Sequence, residues 1–492
     1  MTQPALPAAY QHAVEAILGH AEGETFLQSY ASPRTYGLRI NTLKTSLGSP
    51  AVQRLTDLFA LRPVPWCETG FYYDETTRPG KHPYHIAGLY YIQEPSAMSA
   101  VELLNPQPGE TVLDLAAAPG GKTTQIAAKM AGQGLLISNE IHPQRARILA
   151  ENVERLGIQN AIVTQATPPE LSARFPLAFD RIMLDAPCSG EGMFRKDPEA
   201  ITEWSPEAVE QCAARQWDIL QDAIAMLKPG GRIAYSTCTF NRRENEETIA
   251  RLLETYPFLR LIEEKRIWPH LQEGEGHFVA LLERDGAADA ADKVMLASHG
   301  GKGDEVAKPS SHLSPSHRGR GEGGRPGRSS RPAKGNAAGR DTAAAWDAFL
   351  AWSAEELPAF RTGDGSPLLF GEALYLLPRS RSLALTPEHL TGLKMPRAGL
   401  HLGDYRKGRF EPAHALAMAL GAAHAKQTYE LSEGSPEVSA FLRGETLNLP
   451  ASQRGWHLVT IACGSGSFPL GWGKASGGQL KNHLPKGLRQ MY

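Results

Sequence analysis

Two cysteines at the ends of strand-like segments offer the clearest chemistry in this chain. Cys188 lies in the stretch DAPCSGEG, which begins at Asp185, and Cys238 lies in YSTCT, which begins at Tyr235. One thiolate can add to an electron-poor ring as a nucleophile, and the second thiol can assist the removal of a proton. A lone strand-end cysteine is usually a small buried hydrophobic residue, but a pair beside a cofactor loop predicts covalent chemistry on a pyrimidine.

A loop of small residues, AAAPGGKTT at 116–124, is the expected cofactor site. It follows a strand that ends near Asp114 and it opens a helix, so small side chains and free backbone N–H groups would face the ligand. Glu140 ends the next strand, where an acidic group can hold a ribose hydroxyl. Together these residues favour an adenosine-type ligand with a sugar and a carboxylate, such as S-adenosylmethionine.

The same loop also nearly matches the phosphate-binding loop of ATPases. Gly121, Lys122 and Thr123 fit that motif, but Ala116 stands where its first glycine belongs. The segment IMLD at 182–185 could then pass for the acidic strand that holds magnesium. Pro119 argues against this interpretation, because it removes a backbone donor that a phosphate cradle would use. ATP hydrolysis is therefore the competing hypothesis, and a non-catalytic RNA-binding assembly factor is a third.

The elements that must position these residues alternate between short apolar strands and amphipathic helices. Helical patterns cover 143–156 and 205–227. The predicted strands are 111–116, 134–140, 161–165, 181–187, 232–238 and 277–283. This alternation predicts a doubly wound, mostly parallel α/β sheet over 111–284.

The regions on either side of this sheet differ in composition. Residues 1–110 are predicted to form a mixed α/β unit with a helical start, and 344–492 a helix followed by short strands. From 285 to 343, Gly, Ser, Pro, Ala and Arg replace the apolar periodicity. Such a stretch buries too little apolar surface to offset its chain entropy, which predicts a disordered, locally basic linker. A solvated spacer is favoured over a dedicated RNA-binding tail.

Length and composition set the outer bounds. A chain of 492 residues is too long for one core, and 41% hydrophobic with 21% charged residues is ordinary for a globular protein. No apolar run is long enough to span a bilayer, and the N-terminus lacks a signal-peptide pattern, so a cytoplasmic protein without a membrane partner is expected. Five scattered cysteines without a C-x-x-C pair predict free thiols and no metal site. A net charge of -2 gives no global sign of a nucleic-acid partner.

Three segments carry a family resemblance: LDLAAAPGGKTTQ at 113–125, DRIMLDAPCSGEGMFRKDP at 180–198 and YSTCTFNRRENE at 235–246. The chain resembles the Sun-type RNA cytosine-C5 methyltransferases, and within them the RsmB/RsmF-like members that act on bacterial small-subunit rRNA. QEPSAM at 93–98 extends the likeness upstream, and GWGKASGGQLKNHLPKGLR at 471–489 extends it downstream. The resemblance covers nearly all of the chain outside the linker.

The resemblance implies a Rossmann-like class I methyltransferase sheet with RNA-binding units on both sides. These are an N-terminal appendage at 1–110, a C-terminal subdomain at 344–425 and a PUA-like α+β region at 426–492. The implied reaction moves a methyl group from S-adenosylmethionine to a cytosine of small-subunit rRNA, with tRNA as the alternative substrate. The partner is then RNA, and the chain is expected to be a monomer.

The resemblance also implies residue roles. Cytosine C5 is a poor nucleophile until a thiolate adds at C6. In this family the Thr-Cys thiol attacks, which implies that Cys238 is the nucleophile, that Cys188 assists product release and that Asp185 hydrogen-bonds the base. The implied S-adenosylmethionine contacts are Ala116, Ala117, Ala118, Pro119, Gly120, Gly121, Lys122, Glu140 and Asp185. The family's frequent aspartate after the third strand is replaced here within TQAT at 164–167, so no adenine contact is assigned there.

Several other residues are open between structural and RNA-binding roles. Arg195 and Lys196 could meet phosphates or lie in a solvated loop, and Tyr90 and Tyr91 could stack on a base or belong to the core. The C-terminal region is predicted to hold RNA without taking part in chemistry, because it mixes cations and aromatic rings among glycines. Its candidates are Trp472, Lys474, Lys481, His483, Lys486 and Arg489. The three other cysteines, Cys67, Cys212 and Cys463, are predicted to be inert.

Overall fold

The computed structural model describes residues 5–286 and 335–489. Most of the predicted linker, 287–334, lies outside the described residues. Its last part corrects the prediction, because the helix Gly335–Glu356 includes 335–343. That part is rich in alanine, the residue with the highest helix propensity.

The N-terminal unit begins with helices, as predicted, and adds a small sheet. Its helices are α1 (Ala8–Leu18), α2 (His20–Gln28), α3 (Pro50–Phe59) and α4 (Pro83–Ile86). Its strands are β1 (Gly37–Ile40), β2 (Arg62–Val64), β3 (Cys67–Tyr72) and β4 (Tyr90–Ile92). They form an antiparallel sheet in the order β2-β3-β1-β4. Helix α3 starts where the Ser49 side chain accepts a hydrogen bond from the Val52 N–H, a typical N-cap.

A doubly wound sheet follows and confirms the predicted fold class. Its strands are β5 (Thr111–Asp114), β6 (Leu135–Asn139), β7 (Ala161–Gln165), β8 (Phe179–Asp185), β9 (Leu227–Thr237), β10 (Leu259–Ile267) and β11 (His277–Arg284). Their order is β10-β11-β9-β8-β5-β6-β7. Strands β5 to β9 pair in parallel, and β11 runs antiparallel between β9 and β10. The order reverses at β5, and ligands of such sheets bind beyond the strands' carboxyl ends at that point.

Helices cover both faces of this sheet. They are α5 (Ser99–Leu104), α6 (Gly121–Lys129), α7 (Pro143–Arg155), α8 (Pro168–Ser172), α9 (Pro198–Glu203), α10 (Pro206–Met226) and α11 (Glu246–Thr255). Buried residues of α5, α6 and α7 form one hydrophobic cluster with the sheet, and those of α8, α10 and α11 form a second. Because the inner strands are covered on both faces, their sequences are nearly continuously apolar, which is why they could be predicted.

Strand β10 was not predicted from the sequence. Five successive residues, 260–264, are exposed, and the segment LRLIEEKRI carries several charges. Charged side chains are typical of edge strands, where they prevent pairing with other chains. An edge strand of this kind lacks the apolar run by which the inner strands were recognised.

The C-terminal part contains two further sheets. Its helices are α12 (Gly335–Glu356), α13 (Pro387–Leu390), α14 (His414–Met418) and α15 (Pro436–Arg443). Its strands are β12 (Ser366–Phe370), β13 (Ala373–Leu377), β14 (Lys394–Ala398), β15 (Leu400–Arg406), β16 (Arg409–Pro412), β17 (Thr428–Leu431), β18 (Leu447–Asn448), β19 (Gly455–Cys463), β20 (Gly466–Ser476) and β21 (Gln479–Asn482). The sheets have the orders β12-β13-β15-β16 and β17-β19-β20-β21-β18.

The C-terminal part is integrated with the rest of the molecule. Strand β14 leaves its neighbours and pairs antiparallel with β7, so it is the eighth strand of the central sheet. The last sheet shares a hydrophobic cluster with α3 and β1 of the N-terminal unit. The Tyr84 hydroxyl also donates to the Ala462 carbonyl at 2.9 Å. No helix in the described ranges is long and apolar enough to cross a membrane.

Candidate active site

The residues predicted from the sequence meet where the sheet order reverses. Asp114 ends β5 and Asp185 ends β8, Cys188 lies three residues past the end of β8, and Cys238 follows β9 directly. These strands are adjacent and parallel, so their carboxyl ends share one edge of the sheet. The fold therefore brings the cofactor loop and both cysteines to one crevice.

The cofactor loop is held in place through its backbone. The Ala117 N–H donates to the Asn139 carbonyl at 2.8 Å. From α7, Arg145 donates to the Ala118 carbonyl and Asn152 to the Pro119 carbonyl, each at 2.9 Å. These contacts leave the N-terminus of α6 as the surface that the loop presents to a ligand.

Gly120 is required where the loop enters α6. Its φ of 117° lies in a region that side chains rarely adopt, and a Cβ there would lie 3.2 Å from Leu149 Cδ1. A larger residue would strain the turn and press on α7. The glycine thus sets the path of the loop, which agrees with the prediction that small residues shape this site.

Asp114 provides a buried carboxylate behind the loop. Thr123 donates to its Oδ2 at 2.6 Å, whereas Oδ1 is buried and has no hydrogen-bond partner among the described residues. Burial raises the pKa of Asp114 to about 7. An unpaired buried acceptor of this kind fits the cationic amino group of S-adenosylmethionine.

Glu140 lies at the end of β6, as predicted, and is almost fully buried. Its Oε1 accepts the His142 N–H at 2.9 Å, and its Oε2 is 3.4 Å from Arg145. These contacts fix the carboxylate, and each oxygen keeps a further lone pair for a ligand hydroxyl. This geometry suits acceptance of hydrogen bonds from a pair of ribose hydroxyls.

Asp185 is joined to the cofactor loop by an ion pair. Lys122 Nζ lies 2.7 Å from Asp185 Oδ2, and Ser236 Oγ donates to Oδ1 at 2.8 Å. Burial alone would raise the pKa of Asp185, but the Lys122 cation and the hydrogen bonds from Lys122 and Ser236 more than compensate, so the pKa is lowered. The carboxylate is therefore ionised at neutral pH and can only accept hydrogen bonds.

His277 was not identified from the sequence. It begins β11 and is buried, with Nε2 unpartnered among the described residues and 3.9 Å from Asp185 Oδ1. Burial lowers the pKa of His277 to about 3, so the imidazole is neutral. It adds a further polar group to the wall of the crevice.

The two cysteines form a direct pair. Their sulfur atoms are 3.4 Å apart, within hydrogen-bond reach, and both side chains are half-buried. The hydrogen bond to Cys238 and burial raise the pKa of Cys188 well above its usual range. The raised pKa favours the protonated form of Cys188, and either sulfur can be the donor in the contact.

A set of buried hydrogen bonds holds the two cysteine loops together, and we call Glu191, Asn241 and Glu244 the glutamate clamp. Glu191 accepts the backbone N–H groups of Phe240 and Asn241 at 2.7 and 3.0 Å. Glu244 accepts the Ser189 N–H at 3.0 Å. The Asn241 amide bridges the two carboxylates, at 3.0 and 2.7 Å. The loop after β8 is thereby fixed to the loop after β9.

Comparisons with known proteins agree with this geometry. The family model described as 16S rRNA methyltransferase RsmB/F matches residues 101–283, and models of the RsmF N-terminal, first C-terminal and PUA domains match 6–95, 351–420 and 426–490. Ribosomal RNA small subunit methyltransferase F of Erwinia tasmaniensis is 32% identical over 98% of this chain and 96% of its own. The chain belongs to the RsmF family of 16S rRNA methyltransferases. The same enzyme of Citrobacter koseri is 33% identical over 96% of this chain and 94% of its own.

A solved structure supports the RsmF-family fold. A methyltransferase homolog protein from Pyrococcus horikoshii is 27% identical, with a TM-score of 0.50, over 56% of this chain and all of that protein. The part covered is about the size of the N-terminal unit and central sheet together. Family membership favours methyl transfer over ATP hydrolysis as the explanation of the 116–124 loop.

Three residues considered for RNA binding belong to the interior of this RsmF-family chain. Arg195 is buried and donates to Glu275 at 2.8 Å and to the Gly274 carbonyl at 2.7 Å, so it holds a loop and does not face phosphates. Tyr90 and Tyr91 are core residues, and Tyr90 donates to the Pro79 carbonyl at 2.8 Å.

The C-terminal candidates for RNA binding include both buried and exposed residues. Trp472, within the region matched by the RsmF PUA model, is buried and donates from Nε1 to the Ala413 carbonyl at 2.9 Å. It therefore cannot stack on a base without unfolding its surroundings, and the prediction for this residue was wrong. Lys474, Lys481 and Lys486 are exposed and keep the predicted role as candidates.

The predicted inert cysteines and the 164–167 segment need no catalytic role. Cys67 and Cys463 are buried, and burial raises the pKa of each to about 11. Thr167 caps α8 by accepting the Glu170 N–H, in a capping box. The clamp glutamates were missed although they lie in the family motifs, because a buried acid cannot be distinguished from an exposed one by residue type.

Proposed function

We propose that this chain transfers a methyl group from S-adenosylmethionine to C5 of a cytosine in small-subunit rRNA, through a covalent adduct. The observation that carries the proposal is the pair of sulfur atoms 3.4 Å apart beside Asp185 at the cofactor loop. Family membership supports the reaction and the substrate class. The target base must leave its stack to reach this crevice, which favours unpaired or flipped-out cytosine.

The cofactor is assigned to the 116–122 loop, Glu140 and Asp114. S-adenosylmethionine supplies an electrophilic methyl group on a sulfonium. The free N–H groups of α6 and the unpaired Asp114 oxygen would bind its amino-acid end, and Glu140 its ribose. Lys122 connects this site to the base, because it is paired with Asp185.

Cys238 is assigned as the nucleophile. The assignment follows the family's Thr-Cys thiol, and Cys238 stands directly after β9, 3.4 Å from the Cys188 sulfur. The attacking form is the Cys238 thiolate, so its thiol proton must first leave to solvent or to a neighbouring acceptor. Attack at C6 breaks the aromaticity of the ring and makes C5 nucleophilic. Asp185, ionised, accepts a hydrogen bond from the exocyclic amino group and orients the N3/N4 edge.

Cys188 is assigned to the final step, in which the C5 proton leaves and the C6–S bond breaks. Its raised pKa arises first from the hydrogen bond to Cys238. Burial raises this pKa as well and persists in the adduct. Cys188 would therefore relay the C5 proton through a water, or accept it directly after its own proton has left to solvent.

The cysteine roles are tested by substituting each one. Cys238→Ala should abolish methylation, because no adduct can form. Cys188→Ala should still attack RNA but release it slowly, so a covalent enzyme–RNA band should accumulate on a denaturing gel with labelled RNA and S-adenosylmethionine.

Cys212→Ala is the matched control, since this half-buried thiol lies on α10 outside the pair. It should methylate like the unsubstituted enzyme and leave no stable adduct. An adduct formed by the Cys238 variant would reverse the two assignments.

A ribosomal RNA substrate, rather than tRNA, predicts that bisulfite mapping of a deletion strain loses its signal in 16S rRNA. A cytoplasmic monomer stays part of the proposal.

A further inference from the structure

A cleft of about 930 Å³ lies apart from the cysteine pair, where α7, β14 and the C-terminal residues 485–489 meet. We call it the α7 cleft. Its lining includes Arg147, Ile148, Tyr375, Arg397, His401 and Arg489. It is formed by three parts of the chain that are distant in sequence, so it exists only in the assembled molecule.

Cations dominate the wall of the α7 cleft. Arg147 is exposed on α7 and Arg489 is half-buried, whereas Arg155 also lines the cleft but donates to the His85 carbonyl at 2.8 Å and to Asn152 Oδ1 at 2.9 Å. Two carboxylates also line it, but Glu154 is already neutralised by His414 at 2.8 Å and Arg397 at 3.7 Å. Among the described residues that line the cleft, Glu151 is the other carboxylate, and it is opposite in charge to the remaining arginines. The cleft is thus locally positive in a chain whose net charge is -2.

A buried donor inside the α7 cleft has no partner. Arg397 is 4% exposed, and its Nη2 donates to the Ile158 carbonyl at 3.0 Å. Its Nε is buried and unpartnered among the described residues. A guanidinium N–H left without an acceptor in a positive cleft is suited to an anionic oxygen.

The α7 cleft also offers apolar and aromatic surface. Ile148 is 46% exposed although it lies between charged residues of α7. Across the cleft, the rings of Tyr375 and His401 are stacked with centroids 4.8 Å apart. Cations that track phosphates, interleaved with surfaces on which bases stack, are the combination by which proteins hold single-stranded nucleic acid.

We propose that the α7 cleft binds a single-stranded segment of the RNA substrate, flanking the cytosine that enters the cysteine site. This inference rests on the proposed function, which makes RNA the substrate. Phosphates would contact Arg147, Arg489 and the free Arg397 N–H, and a base would lie against Ile148. The volume of about 930 Å³ lies at the upper end of the range of ligand-binding clefts, which leaves room for a short RNA strand.

Helix α7 connects the cleft to the cofactor loop. Asn152 lines the cleft and donates to the Pro119 carbonyl at 2.9 Å, while Arg145 on the same helix holds Ala118. Gln165, at the end of β7, also lines the cleft and stands at the carboxyl edge of the sheet. RNA in the cleft would therefore run along the helix that supports the cofactor loop.

The test measures RNA binding by the full-length chain with fluorescein-labelled single-stranded RNA of mixed sequence. Arg147→Glu should raise the Kd about tenfold and lower the slope of log K against log salt by about 0.7, because a phosphate contact is lost. Ile148→Ser should weaken binding several-fold without changing the salt slope, since it removes no charge. Both residues are exposed on α7, so folding and S-adenosylmethionine affinity should be retained.

Arg215→Glu is the matched control, because it makes the same charge change at an exposed site on α10, on the opposite face of the sheet. It should bind RNA like the unsubstituted chain. If Arg147→Glu matches Arg215→Glu in Kd and salt slope, the proposal is overturned. It is also overturned if duplex RNA shows the same losses as the single strand. Failure of the proposed function would appear separately, as absence of methylation by the unsubstituted enzyme.

Discussion

At the scale of single residues, burial decides how the acidic groups behave. Asp114 and Asp185 stand at the ends of neighbouring strands. Burial raises the pKa of Asp114 to about 7, whereas the Lys122 cation holds the pKa of Asp185 below its usual value despite burial. The difference is that Asp185 has a cation at 2.7 Å and Asp114 has only a hydroxyl at 2.6 Å. Asp114 can therefore accept a cationic group of a ligand, whereas Asp185 is ionised and already paired with Lys122.

A pH dependence of cofactor binding follows from Asp114. Its folded pKa is above the unfolded value, so ionising it disfavours the folded chain, and this contribution to stability falls as pH rises from 3.8 to about 7. The ammonium group of S-adenosylmethionine, bound next to Asp114, would offset the free-energy cost of ionising this buried carboxyl group. S-adenosylmethionine affinity, measured by calorimetry, should therefore increase as pH rises through about 7. Asp114→Asn, which cannot ionise, should bind weakly with a flat profile, and the same pH profile in both proteins would contradict the assignment.

At the scale of elements, the glutamate clamp sets the geometry between the loops that follow β8 and β9. Beyond the strand ends at Asp185 and Thr237, the backbone contributes hydrogen bonds from the Ala186 N–H to the Ser236 carbonyl at 2.9 Å and from the Gly192 N–H to the Cys238 carbonyl at 2.8 Å. The buried carboxylates add to these contacts, because each accepts backbone N–H from the loop of the opposite cysteine. The distance between the sulfur atoms therefore depends on residues that touch neither substrate nor cofactor.

Loss of the clamp should affect the chemical step more than binding. Glu191→Ala leaves the N–H groups of Phe240 and Asn241 unpaired, and a loop shift of about 1 Å can cost ~100-fold in kcat. S-adenosylmethionine affinity should stay within about twofold, and Glu191→Gln should recover part of kcat by keeping one acceptor oxygen. Glu199→Ala, an exposed glutamate after the same loop, is the control. A normal kcat for Glu191→Ala would show that the cysteine pair is positioned without the clamp.

At the scale of the whole molecule, the C-terminal part is a structural component of the catalytic unit. Strand β14 closes one edge of the central sheet, and the last sheet shares its core with the N-terminal unit. Arg397 on β14 reaches the Ile158 carbonyl ahead of β7. The C-terminal residues therefore complete the fold of the catalytic unit, even though all residues proposed for catalysis precede them.

Truncation near Gly339 should accordingly destabilise the remaining chain as well as weaken RNA binding. It removes the partner of β7 and uncovers the apolar cluster that includes Val52, Leu55 and Leu38. We expect a melting temperature lower by several degrees in scanning calorimetry, because exposing a shared core costs a few kcal/mol. Lys481→Glu is the control, since it changes a C-terminal charge without exposing the core. A truncated enzyme with the same melting temperature as the full-length chain would show that the units fold independently.

The sequence by itself determined the parts of this protein that are local in the chain. The small-residue loop, the strand-end carboxylates and the two cysteine motifs each occupy a few consecutive residues, and parallel strands deliver such ends to one edge. The fold class and the location of the crevice could therefore be predicted, as could all the inner strands of the sheet.

Only the tertiary structure decided which side chains are buried and which distant segments pair. Strand β14 joins β7 across more than two hundred residues, and nothing in its sequence, KMPRA, distinguishes it from other short strands. Trp472 and Arg195 have residue types suited to RNA, yet other segments cover them, and Glu191 becomes a clamp only because two loops surround it. Burial depends on long-range contacts, and these are set by packing of the whole chain, not by local pattern.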